Sequence, residues 1–479
     1  MPLTKSQLIA LSALALFLLL ALARLSYPGL YFDELHFVNA ALGDLDGSFV
    51  EKKLFGIPIF LVPYIGALKA WLYAPIFYVF PVNAWSVRLP MILLGALGLW
   101  FFFRLVERIA GLRAAGMAIF LLVLNPAFVW AVRVDFGPVA IEFFLQVLGT
   151  WLFFTGAGPV ALGAVFLLGL FNRVTFAWWM GGFCLAGLIS FPKEKRRILL
   201  ALLPAALFAL VWAMLFPRDA GSAFGAFSLR EHWHVAGDSI GGLIDGSMFY
   251  RHALGEPFVD SFLSILWAGA FIFCLLRMRK DAKAHRHAVF FLGQMGFTLV
   301  AILLTPRAIS YWHFFHLLPW LILLLAWGLS KNGRGGAVVF ALLLLQQAVA
   351  QIYYLKKTNE IPMKAAWSPA IYELMDYCRQ DNRTCASVEW GTHTQILGAV
   401  RDAKRAWPFY LRPELAPGTS YIMYAYDRQP GAREFRENFL RKVREAKATL
   451  KLERTIDQDG RPIFELYQLE PRPFGNKDK

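Results

Sequence analysis

The chain reads as a polytopic α-helical membrane protein of about eleven transmembrane helices, with a small C-terminal extracytoplasmic α/β domain. Three observations predict this. Of its 479 residues, 58% are hydrophobic and only 17% are charged, whereas soluble domains are about a quarter charged. Apolar runs of membrane length recur through the first three-quarters of the chain, and in lipid such runs must be helical to satisfy their own backbone. Near residue 357 the composition turns abruptly polar.

The runs fall at 7–24, 86–104, 113–132, 138–156, 158–172, 174–191, 198–216, 259–277, 288–305, 311–329 and 336–355. The first follows Lys5 and ends near Ala21-Leu22-Ala23, a sequence a signal peptidase accepts. The run is long for a signal peptide, so an uncleaved first helix is expected. The 158–172 run is short and reads as a tilted half of a hairpin with its neighbour. Between the first two runs, 25–85 is mixed. Its stretch from Pro58 to Pro81 is aromatic, apolar and interrupted by proline, the pattern of short amphipathic helices lying in the interface.

Charge sets the orientation. Arg104, Arg108 and Arg113 lie on one set of short loops, with Lys193, Lys195, Arg196 and Arg197, then Arg277, Arg279, Lys280, Lys283 and Arg286, then Lys331 and Arg334. Basic loops face the cytoplasm. Counting from a cytoplasmic N-terminus puts every one of them inside, and leaves 25–85, 133–137, 173, 217–258, 306–310 and the C-terminal domain outside. The net charge of +15 fits loops beside an anionic leaflet better than a nucleic-acid partner. No Walker loop or dinucleotide fingerprint is present. There is no internal repeat.

The expected division is 1–356, the membrane domain, and 357–479. In the latter, Ser368–Arg379 reads as a helix, 386–390 and 421–426 as strands, Phe435–Ala448 as a charged helix, and Leu450–Leu469 as two strands around Asp459-Gly460, a hairpin signal. Cys184 and Cys274 sit in apolar runs and pack as small hydrophobes. Cys378 and Cys385, seven apart, are disulfide candidates if the domain is extracytoplasmic. No second Cys/His pair at ligand spacing supports a zinc site.

Four groups carry chemistry. Asp33-Glu34, with His36 beyond, follows the first helix closely; carboxylates so near hydrocarbon are costly and read as functional. They suit a general base with an organising acid, or a cap on the following helix. Arg133 and Asp135 flank a tight outer turn before Pro138, with Glu142 two turns further. Arginine suits a bidentate contact with phosphate; the alternatives are a snorkelling side chain or a structural Arg–Asp pair. Arg307, Tyr311, Trp312, His313 and His316 open the tenth run, fitting phosphate or sugar contacts, metal ligation or an interfacial aromatic belt. The 217–258 loop carries His232, His234, Asp238, Asp245, Arg251 and His252 among glycines and reads as a flap. Tyr64 lies in the first outer segment, and Lys52, Lys53 and Lys69 there are candidate phosphate contacts or solvated lysines.

An outward Asp33-Glu34 after the first helix resembles the GT-C-fold membrane glycosyltransferases, in the branch of the protein O-mannosyltransferases and the lipid A aminoarabinose transferase. Val87-Arg88-Leu89-Pro90 running into Leu93–Gly98, Asn125-Pro126 followed by Arg133 and Asp135, and Trp312–Pro319 match that branch in order. Glu389–His393 resembles a segment of the extracytoplasmic domains of related bacterial enzymes. The resemblance implies an inverting transferase at the outer face of the inner membrane. Its donor would be a polyprenyl-phosphate sugar and its acceptor a hydroxyl on an envelope glycan, a lipid or a protein. It implies Asp33 as base, Glu34 and Arg133 shaping the site and holding phosphate, Asp135 as a second acid, and no catalytic metal or cofactor. Where the aminoarabinose transferases carry a Lys-Pro-Pro motif, this chain has Tyr64–Ala70, with Lys69 as the available substitute. The competing reading is a transporter or flippase of lipid-linked sugars, which predicts paired repeats and charges at the membrane midplane.

Overall fold

The computed structural model describes residues 3–43, 49–135, 137–217, 229–247, 253–254, 262–279, 281–305, 311–360, 363–380, 383–425 and 432–470. Every one of the eleven apolar runs holds a helix, and local chemistry sets the ends. Thr4 opens the first, Lys5–Leu22: its hydroxyl accepts from the Gln7 amide while the Gln7 side chain accepts from the Thr4 amide, a capping box. The 113–132 run is not one helix. Proline lacks the amide proton a helix interior needs, so Leu112–Leu124 ends at Asn125, Pro126–Val134 begins anew, and the two bend by 64°. Asn125 secures the break: its Oδ1 caps the Phe128 amide at 2.8 Å and its Nδ2 donates to the Leu243 carbonyl at 2.9 Å.

Among the described residues six helices are long and apolar enough to cross a membrane, seven if the bent pair is one span. Val139–Thr155, Pro159–Asn172, Phe176–Ser190 and Leu266–Met278 are apolar but shorter. Helices cross closely where a side chain is missing: a Cβ on Gly182 would meet the Gln294 carbonyl at 2.6 Å, the small-residue contact typical of membrane bundles.

The chain forms two compact units. The first comprises Met1–Ala23, Pro63–Lys69 and Arg88–Lys357; the second comprises Arg24–Val62, Ala70–Val87 and Thr358–Lys479. In the first unit, the described residues of the 217–258 region are 217, 229–247 and 253–254. Leu229–Asp245 is a helix, because Ala236, Leu243 and Ile244 recur at helical spacing and are buried. Arg251 and His252 lie outside the described residues.

The second unit is built on a five-stranded sheet in the order Ala406–Pro408, Thr384–Ser387, Thr419–Tyr424, Arg461–Glu470, Thr449–Gln458. The first three strands run parallel and the last two antiparallel. Asp459 and Gly460, at φ +52° and +75°, make the hairpin turn that their identities favour. Trp407, Phe409, Tyr421, Met423, Phe439 and Val443 form the core against the Ala432–Glu445 helix. Cys378, at the end of the Ala370–Arg379 helix, is bonded to Cys385 on the adjacent strand, with Cα atoms 6.0 Å apart.

The Pro58–Pro81 stretch corrects the expectation of interfacial helices throughout. Only Leu68–Val79 is helical. Ile57–Val62 is a strand paired antiparallel with Lys52–Leu54, as suits an Ile- and Val-rich segment. Phe55 and Gly56, both at positive φ, close the turn between them.

Candidate functional site

In the first unit, Lys69 and Asp135 were separate candidates in sequence and are partners in space. Lys69 Nζ lies 2.8 Å from Asp135 Oδ2, with side-chain exposures of 0% and 1%. The ammonium hydrogen-bonds the Asp135 main-chain oxygen. Asp135 ends the Pro126–Val134 helix in the left-handed region, at φ +47°. Its Oδ1 accepts from the Ala140 amide at 2.7 Å, capping the next helix, Val139–Thr155. Lys69 is thus buried rather than solvated. It is delivered by Pro63–Gly66, whose Tyr64 carbonyl accepts from the Val174 amide at 3.0 Å and whose Ile65 bridges Arg173. The Tyr64 side chain is half exposed. Arg133, in the last turn of the Pro126–Val134 helix, is buried where the helix dipole favours a cation.

His313 and His316 lie on a 3₁₀ helix, Tyr311–Leu317, whose three-residue period sets them one above the other. Arg173 Nη2 is 3.0 Å from His313 Nε2, and Arg173 Nη1 donates to the Gly137 carbonyl at 3.3 Å. His316 Nε2 lies 3.7 Å from Glu142 Oε2, and its Nδ1 meets the Gln146 amide. The Trp178 ring stands edge-on to both histidines. Arg173, Gln146 and Asn172, all buried, were not singled out from sequence. The signal was there for Arg173, the one charge between two apolar runs. Among the described residues, no group of three or more His, Cys, Asp and Glu side chains could hold a metal ion. Arg307 lies outside the described residues.

In the second unit, Asp33 and Glu34 sit in the first turn of the Phe32–Ala41 helix and separate cleanly. Glu34 is fully buried, and its Oε1 accepts from the Tyr31 amide at 2.9 Å, so it caps the helix. The Asp33 side chain is 35% exposed, and its Oδ1 lies 3.3 Å from His36 Nε2. Tyr31 stacks on Trp367 at 4.0 Å. Burial, reinforced by the charges of Asp33 and Tyr424, raises its phenol well above the ordinary range. The helix is fixed from below by Thr392–Val400: Asn39 donates to the Thr394 carbonyl at 3.1 Å, Gln395 donates to the Leu30 carbonyl, and a Cβ on Gly398 would meet Asn39 Oδ1 at 2.9 Å. His393, from the Glu389–His393 segment, takes a 3.0 Å contact from Tyr410. Glu389 accepts from the Tyr424 amide at 3.0 Å and pairs with Arg436, a structural duty.

No protein-family model matches the chain, and no curated protein matches it. Solved structures do. ArnT from Cupriavidus metallidurans in the apo state is 12% identical over 95% of this chain and 98% of its own, with a TM-score of 0.56. The same protein bound to undecaprenyl phosphate gives 13%, 94%, 97% and 0.56. The archaeal oligosaccharyltransferase AglB from Archaeoglobus fulgidus, in complex with an inhibitory peptide and a dolichol-phosphate, gives 14%, 92%, 68% and 0.48. The chain is a multi-pass helical membrane protein with the fold of the ArnT structures, the GT-C fold that its sequence resembles.

Proposed function

We propose that the chain is an inverting glycosyltransferase that moves a sugar from a polyprenyl-phosphate carrier to an acceptor hydroxyl on an envelope glycan, a lipid or a protein. The observation that carries the reading is a fold shared with ArnT over nearly the whole of both chains, in a sequence that keeps the Asp33-Glu34 pair after its first helix. ArnT has been solved with undecaprenyl phosphate bound, which makes a polyprenyl phosphate the donor carrier to test first. The short basic loops support an N-terminus in the cytoplasm, in the inner membrane, with residues 357–479 and the chemistry on the outer side.

Asp33 is the base. It is the partly exposed carboxylate of the pair, whereas Glu34 is buried and occupied as a cap. It takes the acceptor proton as the acceptor oxygen bonds to the anomeric carbon and the bond to phosphate breaks. The leaving polyprenyl phosphate carries away the electron pair, and a cation must offset that charge. Arg133 is assigned that role, with Arg307, Tyr64 and the two histidines, His313 and His316, as further substrate contacts. Lys69 and Asp135 act as a pair that fixes the backbone around Arg133.

The test is mass spectrometry of envelope lipids, glycans and proteins from cells with and without the gene, and with Asp33→Asn in its place. A sugar lost in the deletion and still missing with Asp33→Asn supports the reading. An unchanged sugar inventory in the deletion overturns it.

A further inference from the structure

We propose that His36 is a positioning residue for Asp33, its ring orienting the carboxylate so that one oxygen is presented to the acceptor hydroxyl. The inference rests on the glycosyltransferase reading above. Residues three apart on a helix share a face, and the 3.3 Å between His36 Nε2 and Asp33 Oδ1 brings that face to a point. The ring is held on two sides. Phe49 stacks on it with centroids 3.5 Å apart and Phe32 meets it at 6.2 Å. The His36 side chain is 10% exposed, against 35% for Asp33. Among the described residues neither ring nitrogen makes a hydrogen bond, a costly state for a buried imidazole, and Asp33 is the group that Nε2 faces. Among the described residues, Tyr31 interacts with the charge of Asp33, Glu34 is its neighbour in the same helical turn, and His393 lies beyond Phe49.

The geometry assigns a division of labour. Nε2, 3.3 Å from Oδ1, keeps its proton and donates it to Oδ1 once the acceptor is seated and the carboxylate turns into line. Oδ2 takes the acceptor proton while the acceptor oxygen bonds to the anomeric carbon and the electron pair leaves with the phosphate. An imidazole that only filled space would not need its nitrogen turned to the carboxylate.

The experiment compares His36→Phe and His36→Gln in the full-length chain, purified from membranes. Labelled polyprenyl-phosphate sugar extracted from the native membranes is the donor, and undecaprenyl phosphate is the binding probe. His36→Phe keeps the stack on Phe49. It is expected to bind undecaprenyl phosphate as wild type does and to lower kcat about 10- to 100-fold with KM unchanged. His36→Gln keeps a donor of similar reach and is expected to recover most of the rate. Wild-type kcat in His36→Phe, or a loss that falls on KM instead of kcat, overturns the proposal, as does a His36→Gln as slow as His36→Phe. Should His36→Phe fail to accumulate, His36→Gln against the shorter His36→Asn decides. An active Gln with a slow Asn supports the proposal, and equal rates overturn it. Transfer retained by Asp33→Asn overturns the assignment of the base itself; an inactive Asp33→Asn beside a fully active His36→Phe overturns this inference alone.

Discussion

The Lys69 ammonium lies 2.8 Å from the Asp135 carboxylate, and both side chains are sealed from solvent. A buried ion pair of this kind is costly to assemble and costlier to halve, because removing one partner strands the other charge. Lys69→Met or Asp135→Asn alone is expected to lower stability by about 3–5 kcal/mol. The double variant Lys69→Met/Asp135→Asn, which removes both charges and keeps an acceptor for the Ala140 amide, is expected to recover most of that loss. Thermal unfolding of the detergent-solubilised chain measures the cycle. Additive losses in the double variant would show that the pair does not act as a unit.

The two carboxylates of Asp33-Glu34 are expected to respond differently to the same substitution. Glu34→Gln keeps the oxygen that accepts from the Tyr31 amide at 2.9 Å, so the helix cap survives. Glu34→Ala removes it and is expected to cost about 1 kcal/mol of stability. Asp33→Asn is expected to leave stability within about 0.5 kcal/mol while abolishing transfer. Melting temperature and sugar transfer, measured together on the three variants, separate cap from base. A Glu34→Gln that melts like Glu34→Ala sinks the division.

Much of the fold was legible in the sequence. All eleven apolar runs hold helices and Asp459-Gly460 turns a hairpin, because each of these is dictated by neighbours in sequence; the break at Asn125-Pro126 inside the 113–132 run is seen only in the structure. The candidate site was legible in its residue types but not in its pairings. Nothing local to Lys69 distinguishes it from a solvated lysine; its partner is 66 residues away. Glu142 and His316 are likewise joined only by the packing of separate helices. The Ile57–Val62 strand is not legible because apolar, proline-broken segments carry no decisive period, and its pairing with Lys52–Leu54 is a property of the hairpin as a whole.

The disulfide makes a prediction about compartment. Cys378 and Cys385 are bonded and buried, while Cys184 and Cys274 are free and buried. The unreduced chain, denatured and treated with a maleimide, is expected to take two labels, and four after reduction. Four labels without reduction would place the 357–479 region in a reducing compartment and overturn its outward assignment. Replacing both Cys378 and Cys385 by serine is expected to cost about 2–3 kcal/mol.

Gly66 decides whether Lys69 can reach Asp135 at all. A Cβ there would stand 1.8 Å from the Phe171 carbonyl oxygen, a main-chain atom that no side-chain rotation can clear. The close approach is what lets Ile65 bridge Arg173 and the Tyr64 carbonyl accept from Val174, and Lys69 follows three residues on. Gly66→Ala is therefore expected to push the segment outward, weaken the Lys69–Asp135 pair and destabilise by several kcal/mol, on the scale of about 3. Gly237 is the control: it lies mid-helix with nothing within 4 Å of an added Cβ, so Gly237→Ala is expected to gain up to about 1 kcal/mol. Thermal unfolding of both variants beside Lys69→Met checks the chain of cause. If Gly66 acts through the pair, Gly66→Ala costs less in the Lys69→Met/Asp135→Asn background than in the wild type. An equal cost in both backgrounds would show that the strain at Phe171 never reaches Lys69.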